Sequence, residues 1–395
     1  MTSAFPRVLA VMLALWCSAS SAAQPRRIVI AVSRALDGRG GVLTDTRLVV
    51  EGATIAGIDP AAAPIDYDLR GLTVMPGWID THVHLSWHFD ARGRLSTGGD
   101  APEEVRATAE NARLTLLAGF TTVQSLGAPV DRTVRDAVNR GELDGPRILT
   151  SQTQINDPSA SADALRALVR QIHARGADLI KVFTAGGSDA ENYRLMSHSQ
   201  LQAVCGEARV LGMRSAAHAL SDGEARVAVE AGCTSIEHGT LASDRTLDLM
   251  AGRGAYFDPN LLMPHNYLDN AQRFGLSDKA VANLERSIAT TAGVLRRARE
   301  RHVKIVFGTD AVAGAHGRNA EEFVYRVREA REKPMDVVVS ATSLAAESLG
   351  VWTTGTLAVN YDADIVATDG NPLEDITAAR RVVFVMKRGR VYRSR

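Results

Sequence analysis

The sequence lacks an excess of charge of either sign, and it is poor in lysine. Its 395 residues include 45 basic and 45 acidic side chains, so the formal net charge is zero at pH 7. Nucleic-acid-binding proteins usually carry a basic excess, so this balance argues against a nucleic-acid partner. Only five of the 45 basic residues are lysine. A lysine inside an apolar strand is therefore an unusual feature of this chain.

Long apolar runs are also absent. The run Val8 to Trp16 has nine residues, which is too few to span a bilayer. Arg7 precedes it and the small residues Ser21-Ala22-Ala23 follow it, a pattern typical of a secretory signal peptide over residues 1–23. We therefore expect a periplasmic or secreted protein with no stable membrane insertion after signal cleavage.

Cysteine is scarce, with three residues in the chain. Cys17 lies in the predicted signal peptide and would be removed. Cys205 and Cys233 stand in the segments LQAVCGEA and VEAGCTSI, which are typical of buried core positions. Export would permit a disulfide between them, but we expect two free thiols.

The remaining chain falls into two kinds of pattern. Residues 24–75 and 353–395 consist of short strand-like runs separated by turns, which predicts one small β-sandwich domain formed from both chain ends. Residues 76–352 alternate apolar strand-like runs with helical patterns. Eight strands that are each followed by a helix predict a (β/α)8 barrel, whose active site lies at the C-terminal ends of the strands.

Potential metal ligands stand at the ends of several predicted barrel strands. His82 and His84 are two residues apart on the first strand, so both imidazoles project from the same face. His218 ends the fifth strand, His238 the sixth, and Asp310 the eighth. A single histidine at a strand end is more often structural than a ligand, and Asp310 alone fits a helix N-cap. Their recurrence at strand ends favours one common centre.

Lys181 lies in the apolar run Asp178-Leu-Ile-Lys-Val-Phe183, with no charge adjacent to it. Burial disfavours an ammonium ion and lowers its pKa toward the neutral amine. A neutral amine can add carbon dioxide to form an anionic carbamate, whose two oxygens can bridge two divalent metal ions. A lysine that extends to solvent, or one held in an internal ion pair, is the alternative.

Taken together, these residues resemble the binuclear centre of the amidohydrolase superfamily. The segments Val74-Met-Pro-Gly-Trp-Ile-Asp80, Ala118-Gly-Phe-Thr-Thr-Val123 and Ala363-Asp-Ile-Val366 are similar to those of its imidazolonepropionase-like group, which includes Xaa-Pro and Xaa-Arg dipeptidases and ochratoxin-type amidases. The resemblance implies six metal ligands: His82, His84, carbamylated Lys181, His218, His238 and Asp310. Two divalent ions, with zinc as the expected metal, would be the cofactors.

The same resemblance implies a reaction. A metal-bridging hydroxide would attack the amide bond of a small molecule such as a dipeptide or an N-acyl amino acid. Asp310 would act as general base and then as general acid, and Tyr256 would stabilise the developing oxyanion. Core packing of Tyr256 at a strand start is an equal alternative.

Substrate contacts are expected in the loops beyond the strand ends. The candidates in these loops are Trp87, His88, Gln152, His265, Tyr267, His316 and Arg318. The dipeptidases of the group tend to carry a Gly-Gly-His segment after the third strand, whereas this chain has SQTQINDPSASA. A substrate contact there is missing, or is replaced by Gln152 or Gln154. That difference puts dipeptide specificity in doubt, although not hydrolysis itself.

Three other interpretations remain open. A hydrolase of esters, lactones, carbamates or organophosphates could use the same centre. A mononuclear deaminase is disfavoured, because Ser221 stands where such enzymes carry a glutamate and because Lys181 is present. A non-catalytic binding relative is expected to have lost ligands, and none is lost here. The sequence leaves the oligomeric state open, a homo-oligomer included.

Overall fold

The computed structural model describes residues 26–99, 101–186 and 194–394. The predicted signal peptide at residues 1–23 lies outside the described residues, so it stays a prediction. Among the helices in the described ranges, none combines the length and apolar character that crossing a membrane requires.

The structure is an α/β fold, as the sequence predicts. Its strands, in chain order, are β1 (Arg27–Leu36), β2 (Val42–Glu51), β3 (Thr54–Ile58), β4 (Tyr67–Asp68), β5 (Thr73–Pro76), β6 (Trp78–Val83), β7 (His88–Phe89), β8 (Leu95–Ser96), β9 (Phe120–Ser125), β10 (Arg147–Thr150), β11 (Gln154–Ile155), β12 (Leu179–Phe183), β13 (Ala185–Gly186), β14 (Arg194–Leu195), β15 (Arg214–Ala219), β16 (Ser235–His238), β17 (Tyr256–Asp258), β18 (Lys304–Ile305), β19 (Ile365–Thr368), β20 (Val382–Lys387) and β21 (Arg390–Arg393).

Helices connect most strands in the middle of the chain. They are α1 (Pro102–Leu117), α2 (Val130–Asn139), α3 (Ala162–Ala174), α4 (His198–Val210), α5 (Asp222–Glu230), α6 (Asp244–Arg253), α7 (Leu262–Asp269), α8 (Asp278–Glu300), α9 (Glu321–Arg328), α10 (Pro334–Ser340) and α11 (Ser343–Leu349), with a 3-10 turn at Ile376–Arg380. Serine hydroxyls cap several of them. Ser221 accepts the N–H of Glu224 at the start of α5, for example, and Ser277 accepts that of Ala280 at the start of α8.

Strands from both chain ends share one eight-stranded sheet. Its order is β21-β20-β19-β5-β1-β2-β3, and β4 pairs with β1. The pairing of β19 with β5 joins the two ends, with Val366 opposite Met75. Alternating side chains such as Ile28, Ile30 and Val32 fill its apolar core. The predicted shared β-unit therefore exists as a sheet, while its sandwich form stays a prediction.

The central strands are parallel and lie in two sheets. One has the order β10-β9-β6 and the other β11-β12-β15-β16-β17-β18. All six residues of β6 and all six of β9 are buried, as expected of parallel strands covered on both faces. Hydrogen bonds link the two sheets at both edges. The Thr81 N–H donates to the Phe307 carbonyl at 2.8 Å, and the Asp178 N–H donates to the Thr150 carbonyl at 2.9 Å.

A disulfide corrects the expectation of free thiols. Cys205 on α4 and Cys233, just before β16, are joined, with their Cα atoms 5.0 Å apart. Both residues are buried in the core between helices α3 to α8 and the six-stranded sheet. The flanking apolar residues correctly indicate burial. They carry no information on whether two buried thiols face each other.

Candidate metal centre

The six predicted ligands lie at the C-terminal ends of the parallel strands. His82 is in β6 and His84 follows it by two residues, Lys181 is in β12, and His218 is in β15. His238 is the last residue of β16, and Asp310 follows β18. Because the strands are parallel, these ends meet on one side of the sheets, where the side chains come together.

Ring and carboxylate contacts define the cluster. The Nε2 atoms of His82 and His84 lie 3.3 Å and 3.2 Å from Asp310 Oδ1. The ring centroids of His82 and His238 are 5.4 Å apart, and those of His218 and His238 are 4.6 Å apart. These distances bring four imidazoles and one carboxylate around a common point.

Two members of the cluster have strained backbones. His238 has φ of 70° and Asp310 has φ of 50°, both in the left-handed region that residues other than glycine seldom adopt. Such conformations cost about 1–3 kcal/mol each and concentrate at functional sites. At a strand end this conformation turns the chain at once, and here it accompanies side chains that point into the cluster.

Buried carboxylates lie beneath the cluster, on the side away from the cavity, and contact its members or the residues next to them. Glu237 Oε2 lies 2.7 Å from His82 Nδ1, and both side chains are about 1% exposed. The Thr81 hydroxyl donates to Asp258 Oδ2 at 2.5 Å. A Cβ on Gly308 would lie 2.0 Å from that same Asp258 oxygen, so only glycine fits between β18 and Asp310. These contacts fix the positions of the strand ends that carry the ligands.

A second network ties β6 to the segment that carries Asp310. Asp80 Oδ2 accepts hydrogen bonds from the Thr309 hydroxyl at 2.7 Å and from the Asn319 amide at 2.8 Å. Asp80 Oδ1 also accepts the backbone N–H of Thr309 at 3.1 Å. The buried carboxylate of Asp80 thereby holds Asp310 beside His82.

Burial controls the ionisation of the cluster. It lowers the pKa of the Lys181 ammonium, against the opposing effect of Glu237, Asp310 and Asp258. Burial, together with the charge of Lys181, lowers the pKa of His218 to about 4. Burial alone would raise the pKa of Asp310, but His82, His84 and Lys181 lower it to about 2. Neutral imidazoles and an ionised carboxylate are the forms that bind metal ions.

The donor set fits a divalent transition metal. His82, His238 and Asp310 each offer one ligand atom, and these atoms lie within 4.8 Å of one another. The buried atoms His84 Nδ1 and His238 Nδ1 have no hydrogen-bond partner among the described residues. Buried polar atoms normally have partners, so these are atoms that a ligand could satisfy. Imidazole and carboxylate donors are the usual ligands of zinc.

A cavity of about 470 Å³ opens above the cluster. All six predicted ligands line it, and so do the predicted contacts Trp87 and Tyr267. The Trp87 ring lies 5.2 Å from the His84 ring, and the Tyr267 ring stacks on Phe274 at 4.3 Å. A pocket of this size accommodates a small molecule.

Tyr256 is not part of this site, which corrects the prediction. It is the first residue of β17, whereas the cluster lies at the strand ends. Its hydroxyl donates to Glu347 at 2.9 Å, and the Lys304 ammonium lies 5.3 Å from its ring centroid. A tyrosine at the start of a parallel strand lies at the opposite end of the sheet from the strand ends. Tyr256 is part-buried there and held by Glu347, outside the apolar core.

Five further predicted contacts do not line the cavity. His265 stacks on Tyr325, and Arg318 forms ion pairs with Asp269 and Glu321. The amide of Gln152 donates to the Arg175 carbonyl, and the His88 ring contacts the Ser86 carbonyl. The fifth residue, His316, follows Asp310 by six positions and is absent from the described lining.

Of the two glutamines considered after the third strand, Gln154 lines the cavity and Gln152 does not, because β11 pairs Gln154 with Lys181. Other lining residues are not among the candidates from the sequence. Phe183 stacks on His218 with centroids 4.5 Å apart. The first turns of α8 contribute Ala280 and Leu284, and the segment just before α8 contributes Leu276. The alternation of β12 predicts that Phe183 shares a face with Lys181, but no local signal predicts that α8 covers the cavity.

Comparison with known proteins gives a family and a common fold. A family model described as "Amidohydrolase family" matches residues 73–392, most of the chain. A solved structure described as a Xaa-Pro dipeptidase with bound methionine in the active site is 29% identical. It superposes with a TM-score of 0.85 over 93% of this chain and all of that one.

Curated relatives are similar over most of their length. Ochratoxinase from Aspergillus niger is 26% identical over 91% of this chain and 85% of the relative. Imidazolonepropionase from Salinispora arenicola is 26% identical over 84% of this chain and 88% of the relative. The predicted resemblance to this group is therefore confirmed.

Proposed function

The chain belongs to the amidohydrolase family, and from that membership we propose that this hydrolase cleaves an amide bond of a small molecule at the candidate metal centre. The observation that carries the proposal is the convergence of His82 Nε2 and His84 Nε2 on Asp310 Oδ1, at 3.3 Å and 3.2 Å, on the floor of the cavity. The similar structure described as a dipeptidase supports an amide as the bond that is cut.

Two divalent ions are proposed as cofactors, with zinc the expected metal. His82 and His84 would hold one ion with Asp310, and His218 and His238 would hold the other. Lys181, as a carbamate, would contact both. When bound, such ions lower the pKa of water so that hydroxide forms near neutral pH, and they polarise a carbonyl group. Burial lowers the pKa of the Lys181 amine, which shifts it toward the uncharged form that reacts with carbon dioxide.

The chain's own residues move the proton and contact the substrate. Asp310 is ionised, since its pKa is about 2, so its carboxylate can accept a proton from the nucleophile and pass it to the leaving nitrogen. Tyr267 replaces Tyr256 as the proposed donor to the carbonyl oxygen, because it lines the cavity. Burial and the charge of Asp310 raise the pKa of Tyr267, so its hydroxyl keeps its proton at neutral pH. Trp87 would pack against the substrate beside His84.

The architecture around the site is proposed to be a (β/α)8 barrel over residues 76–352, with a β-sandwich domain over residues 24–75 and 353–395. The hydrogen bonds that link the two parallel sheets at both edges support a closed arrangement. Export to the periplasm or the medium is likewise proposed. The disulfide between Cys205 and Cys233 supports it, because disulfides persist in oxidising compartments. N-terminal sequencing of the mature protein tests the cleavage site.

Metal content and turnover test the function together. Purified protein is expected to hold about two zinc ions per chain by elemental analysis, and to release amine from at least one member of an amide panel. Lys181→Ala and Asp310→Asn are each expected to lower turnover by about three orders of magnitude or more without loss of the fold. Lys333→Ala removes an exposed lysine and serves as the control. Near-normal turnover in either site variant contradicts the proposal.

A further inference from the structure

The walls of the cavity are mostly apolar, with Gln154, Tyr267 and Asn283 as uncharged polar exceptions, in contrast to its floor. Above the proposed ligands, the described walls include Phe183, Leu220, Met263, Leu276, Leu284 and Val312. They come from the ends of β12 and β15, from the segment after Asp310, and from the hairpin of α7 and α8. Apolar walls favour an apolar substituent, at roughly 25 cal/mol per Å² of surface buried.

Cations are missing from these walls. Among the described lining residues, Lys181 on the floor is the only lysine or arginine. Residues 187–193, which lie outside the described ranges, contain no lysine, arginine or histidine. Arg318, the one arginine among the predicted substrate contacts, is paired with Asp269 at 2.6 Å and Glu321 at 2.8 Å. A substrate carboxylate placed against these walls would lose hydration without gaining a charged partner, which is unfavourable.

The nearest part of α8 does not compensate for this absence. The first turn of the helix is capped by Ser277, which accepts the Ala280 N–H, and it carries the acidic Asp278. Arg286 is exposed, and its guanidinium donates to the side chain of Asn283 at the rim of the cavity. A charge in that exposed position is screened by solvent and lies outside the walls.

We infer that the substrate is an uncharged amide whose apolar, ring-bearing or branched group packs against the α7–α8 hairpin, rather than an amide with a free carboxylate. Dipeptides and N-acyl amino acids are then poor substrates relative to the same amides without the carboxylate. This inference rests on the proposed amide hydrolysis and narrows it to a substrate class.

Two compounds that differ only in the carboxylate provide the test. N-acetylphenethylamine and N-acetyl-L-phenylalanine share the scissile amide and the phenyl ring. We expect kcat/KM for N-acetylphenethylamine to be higher by at least about tenfold. Both compounds are assayed on one preparation, so incomplete metal loading cancels in the ratio. An equal or higher value for N-acetyl-L-phenylalanine overturns the inference.

Failure of the proposed function can be distinguished from failure of this inference. If the zinc-loaded protein cleaves neither compound, the proposed function is contradicted for this class, and calorimetric titration of the same two compounds decides the inference. Tighter binding of N-acetylphenethylamine upholds it. Equal or tighter binding of N-acetyl-L-phenylalanine overturns it.

Three variants test whether the α8 wall and its rim determine this preference for the uncharged amide. Leu284→Arg introduces a guanidinium into the wall and is expected to shift the kcat/KM ratio toward N-acetyl-L-phenylalanine by at least about tenfold, whereas the uncharged control Leu284→Gln is not. Arg286→Ala is expected to leave the ratio unchanged. A selective loss of N-acetyl-L-phenylalanine hydrolysis in Arg286→Ala would show that the rim arginine holds the carboxylate, and would overturn the inference.

Discussion

Glu237→Gln tests whether a buried carboxylate positions a metal ligand. Glu237 Oε2 lies 2.7 Å from His82 Nδ1, and the Ser235 hydroxyl donates to Glu237 Oε1 at 2.5 Å. The carboxylate therefore faces the nitrogen of His82 that is turned away from Asp310. Carboxylates behind metal-binding histidines orient the ring and make it a better donor, and their loss costs about 10–100-fold in metal affinity. Glutamine keeps the size of the side chain and removes its charge. We therefore expect zinc affinity to fall by the lower end of this range, about tenfold or 1.4 kcal/mol.

Competition with a chromophoric zinc chelator measures this change in affinity. Burial raises the pKa of Glu237, so the neutral amide removes a desolvation penalty, and metal-free Glu237→Gln should unfold at the same temperature as the parent or higher. Lower zinc affinity with unchanged metal-free stability separates positioning from folding. Glu230→Gln is the control, since Glu230 is part-exposed and pairs with Arg226 on α5. Zinc affinity within twofold of the parent for Glu237→Gln would refute the reasoning.

Three further predictions concern stability. Joint replacement of Cys205 and Cys233 by alanine should lower the free energy of unfolding by about 3 kcal/mol, given their separation of 28 residues, and a reductant should weaken the parent but not the variant in urea titrations. Burial raises the pKa of Glu322 to about 8 from its ordinary 4.5, so the folded state binds the proton more tightly and the parent loses stability as pH rises between these values. Glu322→Gln should then gain about 4 kcal/mol over the parent between pH 5 and pH 9 in chemical denaturation, and a constant difference would contradict this. Arg326 pairs with Glu332 at 2.8 Å in the interior, so Arg326→Met alone should cost about 3 kcal/mol by urea unfolding, while Glu332→Leu added to it should recover part of the loss.

The sequence predicts the floor of the site because the signals there are local. A strand alternates its faces, so the two-residue spacing of His82 and His84 places both rings on one side. Parallel strands end on one side of a sheet, so histidines and an aspartate that close successive apolar runs must converge there. Lys181 stands out because lysine is rare in this chain and because its neighbours are apolar. The structure brings these groups together as those rules require.

Side chains outside the strand ends depend on tertiary geometry that no spacing encodes. Tyr256 and Tyr267 are eleven residues apart, yet the first begins β17 and the second lies in α7 over the cavity. Choosing between them requires the direction of β17 and the fold of the following loop. Cys205 and Cys233 show the same limit, because two apolar contexts predict two buried sulfurs but not their mutual orientation.

The floor and the walls of the cavity differ in how readily their residues can be substituted. The proposed ligands are held by buried strands and by carboxylate networks under them, where a substitution disturbs the packing of both sheets. Ala280 and Leu284, in contrast, are carried by α8 and Leu276 by the segment just before it, and all three are only part-buried. Residues with few packing constraints tolerate substitution at small cost in stability. If the proposed function holds, substrate preference can vary through α8 and the segment before it while the metal centre stays constant, because the proposed wall contacts and the proposed ligands belong to separately supported parts of the fold.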